Sequence, residues 1–565
     1  MTDDKSNLLE LSKKEANKWL NFNLLNSEIQ QIKFLLKEEN KDILIDSFYK
    51  KLEFGTGGMR GLIGIGTNRM NLYTVSLATQ GLCNYLNKSE KNNKSAVIAY
   101  DSRKFSKKFA IQTAKIFSAN NIKSYIFSNL RPTPQLSFAV RELNSSCGIV
   151  ITASHNPKEY NGYKVYWKDG GQITFPHDQN IVNEVNKLDN FSKINFDEKK
   201  GLICQIDEEM DNKYIKRIKK LSLINNSLSD LKIIFTSLHG TGITQVPNVL
   251  KAFGFKNILI VKKQEKPDPE FSTVILPNPE ERDALSLGIK ELKKENGDIL
   301  LATDPDSDRV GVVIKTNNEI KILNGNQLAT LIIYYTLNKL NKNNLKKPPF
   351  IAKTIVTSPL IDKIAKHYDV ACYSTLTGFK FIAELIKNNK KEKFIAGGEE
   401  SYGYLVDDFV RDKDAIISSA VICEITNWAK SKGKSLDDIL EDIYKLHGLF
   451  IEKLYTIKMD GINGLKKIHK IMEDYRTHPP NKIFNDDVNK IIDYTKIQKN
   501  SIIQSKSNVI QMISKNNYIM TLRPSGTEPK IKFYFSVNGT NKKKNKLELS
   551  KLIDKEILKI KSKYE

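Results

Sequence analysis

Cysteine is sparse in this chain of 565 residues: Cys83, Cys147, Cys204, Cys372 and Cys423 are the only five. They are widely spaced, odd in number and form no C-x-x-C pair, which argues against a disulfide framework or a zinc site and fits a reducing compartment. Long apolar runs are lacking as well. No stretch approaches the roughly 18 residues that span a bilayer, and the N-terminal MTDDKSNLLELSKKEANKWL is charged, without a secretory apolar core. A soluble, cytoplasmic protein with no membrane partner is expected. Arginine is scarce too. The net charge is +24, with 89 basic against 65 acidic residues, but the excess is lysine in runs such as NKLNKNNLKK (338–347) and NGTNKKKNK (538–546). These contain no arginine and no interleaved aromatics. Arginine is the better residue for planar, two-pronged phosphate contacts, so the runs read as solvated loops and no nucleic-acid partner is expected. Three motifs are also missing. Without G-x-x-x-x-G-K-[ST] there is no P-loop, without G-x-S-x-G no nucleophile elbow, and FGTGGMRG (54–61) is out of register with a dinucleotide fingerprint.

What is present is length and pattern. With 40% hydrophobic residues, a chain this long can bury several cores. Four times an apolar, β-rich run ends abruptly in a polar or glycine-containing loop: CGIVI into TASHNP, LKIIFTSL into HGTG, GDILLA into TDPDSDR, and EKFIA into GGEES. Helical periodicity fills the intervals, as in DALSLGIKELKKE (283–295) and SPLIDKIAKHY (358–368), and LATLIIYYTL (328–337) reads as a core helix. Strand, loop and helix in alternation imply α/β domains. Ligands in such sheets gather at the carboxyl ends of strands, so the loops are expected to build a site. The tail changes character: LFIEKLYTIKM, a helix and the strands YIMTL and KIKFYFSV around RPSGTEP suggest a small α+β domain. Expected domains are 1–205, 206–323, 324–446 and 447–565.

The loops carry the chemistry. In DPDSDR (304–309), Asp304, Asp306 and Asp308 alternate, so a tight turn can aim three carboxylates at one hard cation. A calcium hand would need glycine at the sixth position and glutamate at the twelfth, where Arg309 and Lys315 stand. A haloacid-dehalogenase-like phosphatase also places D-x-D after a strand, but Asp308 replaces the small or apolar residue usual at its fifth position. RPSGTEP joins Arg523 to Ser525, Gly526 and Thr527, the makings of a phosphate cradle or an ordinary hairpin turn. In GGEES, Glu399 and Ser401 face the same way if the chain is extended and suit a sugar diol; a helix N-cap is the alternative. VRDKDA adds Arg411 and Lys413, FGTGGMRG adds Arg60, and YDSR adds Asp101 and Arg103; His239 is as readily a loop-packing residue as a catalytic one. Ser154 has His155 as its immediate neighbour. In an extended segment their side chains diverge, which disfavours an acyl-transfer pair. A metal loop, a phosphate cradle and a sugar-binding acid instead make Ser154 a plausible covalent phosphate carrier.

TASHNP, DPDSDR, GGEES and RPSGTEP, in that order, resemble the α-D-phosphohexomutase superfamily of phosphoglucomutases and phosphomannomutases, from about Trp19 to the final strands. LEFGTGGMRGLIGIGTNRMN, NPKEYNGYKVYW and TLTGFK look closest to the phosphoglucomutase-2/phosphopentomutase branch. The resemblance implies a four-domain, heart-shaped α/β architecture: three related α/β domains and a C-terminal α+β domain resembling the TATA-binding fold. It implies Ser154 as the phosphorylated serine, Asp304, Asp306 and Asp308 as Mg²⁺ ligands, and Arg309 as the adjacent arginine. Glu399 and Ser401 would bind sugar hydroxyls, with Thr377 and Gly378 as the specificity loop. Arg523, Ser525, Gly526 and Thr527 would hold the phosphate that is not transferred. Arg60, His155, Lys164 and Lys413 match positions near the phosphoserine or proposed for proton transfer. Ser307 stands where many members have glycine. The implied reaction interconverts glucose 1-phosphate and glucose 6-phosphate through glucose 1,6-bisphosphate, in a monomer or weak dimer. Phosphomannomutase, phosphopentomutase and sugar-bisphosphate synthase use the same motifs.

Overall fold

The computed structural model describes residues 2–22, 24–55, 57–90, 94–188, 191–223, 230–316, 319–459, 461–496, 505–525, 530–539 and 545–565. The chain divides into two compact units, Met1–Lys315 with Asp408–Ala420, and Thr316–Asp407 with Val421–Glu565.

In the first unit the strands are β1 (Gly58–Leu62), β2 (Ser95–Tyr100), β3 (Lys123–Phe127), β4 (Cys147–Ile151), β5 (Tyr160–Trp167), β6 (Ile203–Ile206), β7 (Ile233–Thr236), β8 (Ile258–Ile260), β9 (Ile299–Thr303) and β10 (Val310–Thr316). One sheet has the order β1-β5-β4-β2-β3-β6. Its β4, β2, β3 and β6 run parallel, while β5 and β1 pair antiparallel at one side. The strands of the second sheet that belong to this unit repeat the scheme in the order β10-β9-β7-β8, with β9, β7 and β8 parallel and β10 antiparallel. Parallel strands covered on both faces need apolar residues at every position. CGIVI and ILLAT are accordingly buried throughout, and the continuous apolar runs of the sequence report this. Helices Leu72–Ser89 and Ser106–Ala119 share one core with β2, β4 and β5, through Val75, Leu82, Phe109, Phe117, Ile149 and Val165.

The segment Asp408–Ala420 joins this unit although it follows strands of the other one. Its Arg411 N–H donates to Ser137 Oγ at 2.9 Å, and Arg411 forms a parallel bridge with Gly171. Tyr166 donates to Asp412 at 2.6 Å and Tyr214 to Asp414 at 2.7 Å, both buried. Burial pushes the Asp414 carboxyl up to about 6, although Tyr214 and the N–H groups of Ile417 and Ile416 oppose the shift. These contacts hold Lys413 in place.

The second unit begins with β11 (Glu319–Leu323) and contains β12 (Pro349–Thr354), β13 (Ala371–Thr375), β14 (Lys393–Gly398) and β15 (Tyr404–Val406). Their order is β13-β12-β14-β15, again parallel with one antiparallel edge. The apolar stretch 328–337 lies in the buried helix Gly325–Lys339. The last sheet is antiparallel: β16 (Phe450–Lys458), β17 (Lys482–Ile483), β18 (Asp486–Asp493), β19 (Ile510–Ser514), β20 (Ile519–Pro524) and β21 (Lys530–Asn538), ordered β16-β21-β20-β19-β18-β17. Helices Gly461–Thr477 and Lys546–Tyr564 pack on it through Ile468, Met472, Leu549 and Ile553. The tail therefore holds more strands than its apolar runs suggested. β18, DDVNKIID, has no buried residue along its length and escapes a reading based on apolar alternation. Among the described residues no helix is long and apolar enough to cross a membrane.

Candidate active site

Ser154 lies just beyond the carboxyl end of β4, 3% exposed, with φ +52°. An L-residue in this left-handed region costs about 1 kcal/mol, and the loop is built to hold it. Thr152 Oγ1 accepts the Ser154 N–H at 2.8 Å. Arg103, beyond the end of β2, gathers the opposite edge: its guanidinium donates to the carbonyls of Ser154 (2.6 Å), Asn156 (2.5 Å), Pro157 (2.7 Å) and Tyr160 (3.1 Å). Its Nε lies 3.3 Å from Asp101 Oδ2, both side chains fully buried. Arg60, on β1, donates to Asn156 Oδ1 at 2.8 Å. Arg103→Ala strips four carbonyls of a donor and leaves Asp101 as an uncompensated buried charge. We expect a loss of about 3–5 kcal/mol in chemical denaturation, not rescued by lysine, which lacks the planar fork. A loss below about 1 kcal/mol would contradict this role.

The left-handed turn also revises one expectation. The chain is not extended at Ser154, so the side chains of Ser154 and His155 do not diverge: His155 Nδ1 lies 3.2 Å from Ser154 Oγ. The same hydroxyl donates to Asp304 Oδ2 at 2.7 Å. That contact joins the serine loop to the loop between β9 and β10.

Asp304, Asp306 and Asp308 are buried, and one ligand atom from each lies within 4.8 Å of the others. Their remaining oxygens are assigned one by one. Asp304 Oδ1 accepts the N–H groups of Asp308 (3.1 Å) and Arg309 (3.0 Å). Asp306 Oδ2 accepts Lys164 Nζ (2.7 Å) and Thr133 Oγ1 (2.8 Å). Asp308 Oδ2 is paired with Lys413 at 2.9 Å and Lys164 at 3.2 Å. Asp306 Oδ1 and Asp308 Oδ1 are buried and accept no hydrogen bond. Two bare buried carboxylate oxygens beside a serine-bound third are what a hard dication takes up. The residues fit a metal centre.

Burial opposes ionisation of all three acids. At Asp304 it prevails, helped by the charges of Asp306 and Asp308, and the carboxyl is pushed well above the usual range. At Asp306 the Lys164 ammonium outweighs burial and the charge of Asp308. At Asp308 the ammonium groups of Lys413 and Lys164 and the Arg309 guanidinium outweigh burial, and both carboxyls stay below the usual range. Burial pushes Lys164 down, but Asp306 and Asp308 push harder and keep it protonated. Arg309 pairs with Glu280 at 2.7 Å while its Nε stays 3.8 Å from Asp308 Oδ1. Ser307 has φ +56° and its hydroxyl meets Thr241 Oγ1 at 2.9 Å, so the turn that glycine would make freely is here made by a tethered serine.

A buried serine bonded to one acid of an aspartate triad raises the question of relatives. Three profiles match in sequence: phosphoglucomutase/phosphomannomutase α/β/α domain I over residues 51–192, domain II over 212–317 and domain III over 324–447. The chain is 39% identical over 508 residues to a phosphoglucomutase of Staphylococcus haemolyticus, covering 87% of this chain and 92% of that one. It is 37% identical over 509 residues to a phosphoglucomutase of Staphylococcus aureus, with 88% and 91% covered. It belongs to the phosphoglucomutase/phosphomannomutase family. Two solved structures share the fold. The Paramecium phosphoprotein pp63/parafusin, a phosphoglucomutase in its open form, superimposes with TM-score 0.69 at 20% identity, covering 90% of this chain and 94% of that one. A phosphoglucomutase/phosphomannomutase family protein of Burkholderia thailandensis gives 0.65 at 16%, with 89% and 95% covered.

The protein is thus a phosphosugar mutase of the α-D-phosphohexomutase superfamily, with an aspartate triad that fits a metal-dependent reaction. Of the residues the sequence singles out, the first unit of the mutase brings together Ser154, His155, Arg60, Lys164, Lys413, Arg309 and the three aspartates. In the second unit the Gly378 N–H donates to Glu399 Oε1 at 2.8 Å, next to Thr377, whose Oγ1 is buried without a hydrogen bond. Glu399 and Ser401 do not follow extended alternation: the Glu399 N–H donates to the Gly403 carbonyl at 2.9 Å and Tyr402 has φ +66°, so the chain turns from β14 into β15. The strand β15 also removes the helix N-cap alternative. Arg523 is the penultimate residue of β20, opposite Lys532, and the Ser525 N–H donates to the Lys530 carbonyl at 2.8 Å; Gly526 and Thr527 lie outside the described residues. His239 Nδ1 donates to the Lys266 carbonyl at 3.1 Å and its Nε2 meets Thr273 Oγ1 at 2.8 Å, a loop-packing role. Thr133, Asn156 and Asp412 went unnoticed in the sequence. A threonine before a proline after a strand, as in RPTPQ, was the available signal for the first.

Proposed function

We propose that this mutase interconverts glucose 1-phosphate and glucose 6-phosphate, with Ser154 carrying the phosphoryl group. The observation that carries the reading is the Ser154 Oγ to Asp304 Oδ2 bond of 2.7 Å beside two buried aspartate oxygens that accept no hydrogen bond. The 37–39% identity to phosphoglucomutases supports glucose as the sugar. Asp304, Asp306 and Asp308 would hold Mg²⁺, which supplies charge neutralisation to the phosphoryl group.

The chain's own residues do the rest. Lys164, buried, and Lys413, half-buried, are paired with the triad and keep net charge low as phosphate enters. When phosphorylated Ser154 donates to the sugar 6-hydroxyl, the Oγ–P bond breaks, the O6–P bond forms, and in the balance the proton lost by O6 is regained by Ser154 Oγ. After the glucose 1,6-bisphosphate intermediate turns round, Ser154 Oγ attacks the phosphate on carbon 1: the Oγ–P bond forms, the O1–P bond breaks, Ser154 gives up its proton and the sugar O1 takes one up. Two groups touch that oxygen: Asp304 Oδ2, which accepts its hydrogen bond, and the ring nitrogen His155 Nδ1. His155 is the one outside the metal set, so we assign it the proton, which imidazole handles near neutral pH. In the second unit, Glu399 and Ser401, with Thr377 and Gly378, would read the sugar hydroxyls, while Arg523, Ser525, Gly526 and Thr527 would hold the second phosphate. The five cysteines are free thiols, which supports a cytoplasmic setting, and we read the protein as a monomer or weak dimer.

A coupled assay on glucose 1-phosphate, mannose 1-phosphate and ribose 1-phosphate, with and without glucose 1,6-bisphosphate, tests the substrate. We expect kcat/KM for glucose 1-phosphate to exceed the others by at least about tenfold, with stimulation by the bisphosphate. Preference for mannose or ribose phosphate would replace the sugar; no turnover of any would reject the reading.

A further inference from the structure

We infer that Thr133 is a positioning residue of the reaction: it fixes which oxygen of Asp306 faces the cation. This rests on the reading of the aspartate triad as the Mg²⁺ site. Thr133 opens the helix Thr133–Glu142 and is fully buried, 173 residues away from Asp306 in sequence. It grips that residue twice. Its N–H donates to the Asp306 carbonyl at 2.9 Å, and its hydroxyl donates to Asp306 Oδ2 at 2.8 Å. The first bond fixes the loop; the second fixes the rotation of the carboxylate.

Lys164 shares Oδ2 at 2.7 Å, so both donors converge on one oxygen and Oδ1 is left buried and bare. Lys164 cannot impose this alone. Its ammonium is a compact charge on a flexible stem, and it also reaches Asp308 Oδ2 at 3.2 Å. The threonine hydroxyl, on a β-branched side chain with restricted χ1, is the directional donor. The loop backbone has other anchors: the Pro305 carbonyl accepts the Thr241 N–H at 2.8 Å, and the Ser307 carbonyl accepts the Ala415 N–H at 3.2 Å. Removing only the Thr133 hydroxyl therefore frees the carboxylate and leaves the loop tethered. Outer partners that orient a ligand in this way are worth about 10–100-fold in metal affinity.

The experiment is calorimetric titration of Mg²⁺ into the full-length wild type, Thr133→Val, Thr133→Ser and Asp306→Asn, with thermal unfolding of each metal-free protein. Valine keeps the shape and the N–H. We expect Thr133→Val to weaken Mg²⁺ binding by about tenfold or more and Thr133→Ser to stay within about threefold of wild type. The Mg²⁺ concentration for half-maximal turnover should rise with the Kd while KM for the sugar phosphate holds. Thr133→Ala carries the same expectation should valine prevent folding. Wild-type affinity in Thr133→Val, whether or not its Tm falls, overturns the inference and leaves the metal site standing. Mg²⁺ affinity unchanged in Asp306→Asn, or no binding by the wild type, overturns the metal reading and the inference with it.

Discussion

Ser154→Ala is expected to lower mutase turnover by at least about 10⁴-fold, as loss of a nucleophile does where no other group can take its place. The loop offers no substitute hydroxyl: Thr152 Oγ1, the nearest in sequence, accepts the Ser154 N–H. The fold should survive. Alanine at φ +52° bears about the same backbone cost as serine, and the Thr152 and Arg103 bonds to the loop involve main-chain atoms that alanine keeps. A denaturation midpoint close to wild type, together with the lost activity, separates chemistry from collapse. Mass spectrometry of the purified wild type should place phosphate on Ser154 and find none in the variant. Retention of more than about a tenth of the activity, or phosphate elsewhere but never at Ser154, would sink the carrier role.

Removing the metal, or the acid that holds the two lysines beside it, should be almost as damaging. Chelation is expected to abolish turnover and Mg²⁺ to restore it, with Ca²⁺ a poor replacement because it is larger and takes more ligands. Asp308→Asn should lose at least about 10³-fold in kcat, since it deletes both a cation ligand and the charge facing the phosphoryl site. Its effect on stability should differ from that of Asp304→Asn. Asp308 is the shared partner of Lys413 and Lys164, so amidation leaves buried Lys164 with Asp306 and half-buried Lys413 with Asp412, each with one anion fewer. Asp304 bonds two N–H groups and a hydroxyl, which an amide can satisfy by presenting its oxygen to the former and its NH₂ to the latter. In metal-free protein, Asp308→Asn should therefore cost about 2 kcal/mol or more beyond Asp304→Asn. Equal costs in urea unfolding would show that the lysines are balanced by other groups, and retained turnover after chelation would remove the metal from the mechanism.

The parts of the site legible in the sequence share one property: the chemistry and the strand that delivers it are adjacent in the chain. GDILLA runs into DPDSDR and CGIVI into TASHNP, so a fully buried parallel strand, recognisable by its unbroken apolar run, announces the loop at its end. Parts that escaped have their signal divided between distant segments. Thr133 is an unremarkable helix start until Asp306 closes on it, and Arg103 is one of several loop arginines until four carbonyls of residues 154–160 converge on it. The polar strand β18 was lost for a related reason, since its partner in the sheet is visible only once β19 lies beside it.

Composition and local pattern by themselves pointed to a set of α/β domains with a small α+β tail domain, to polar loops at strand ends, and to three alternating aspartates able to face one cation. Those are consequences of period, burial and charge within short windows. Only the tertiary structure decided the turn at Ser154. Local reasoning assumed an extended backbone and sent His155 away from the hydroxyl; the packed loop adopts φ +52° and brings Nδ1 to 3.2 Å. The physical reason is that the left-handed turn costs energy locally and is stabilised by Arg103 and Thr152, of which the arginine is supplied by a separate strand end. Which oxygen of Asp306 and of Asp308 accepts no hydrogen bond was likewise settled by Lys164, Lys413 and Thr133, none of them near the loop in sequence.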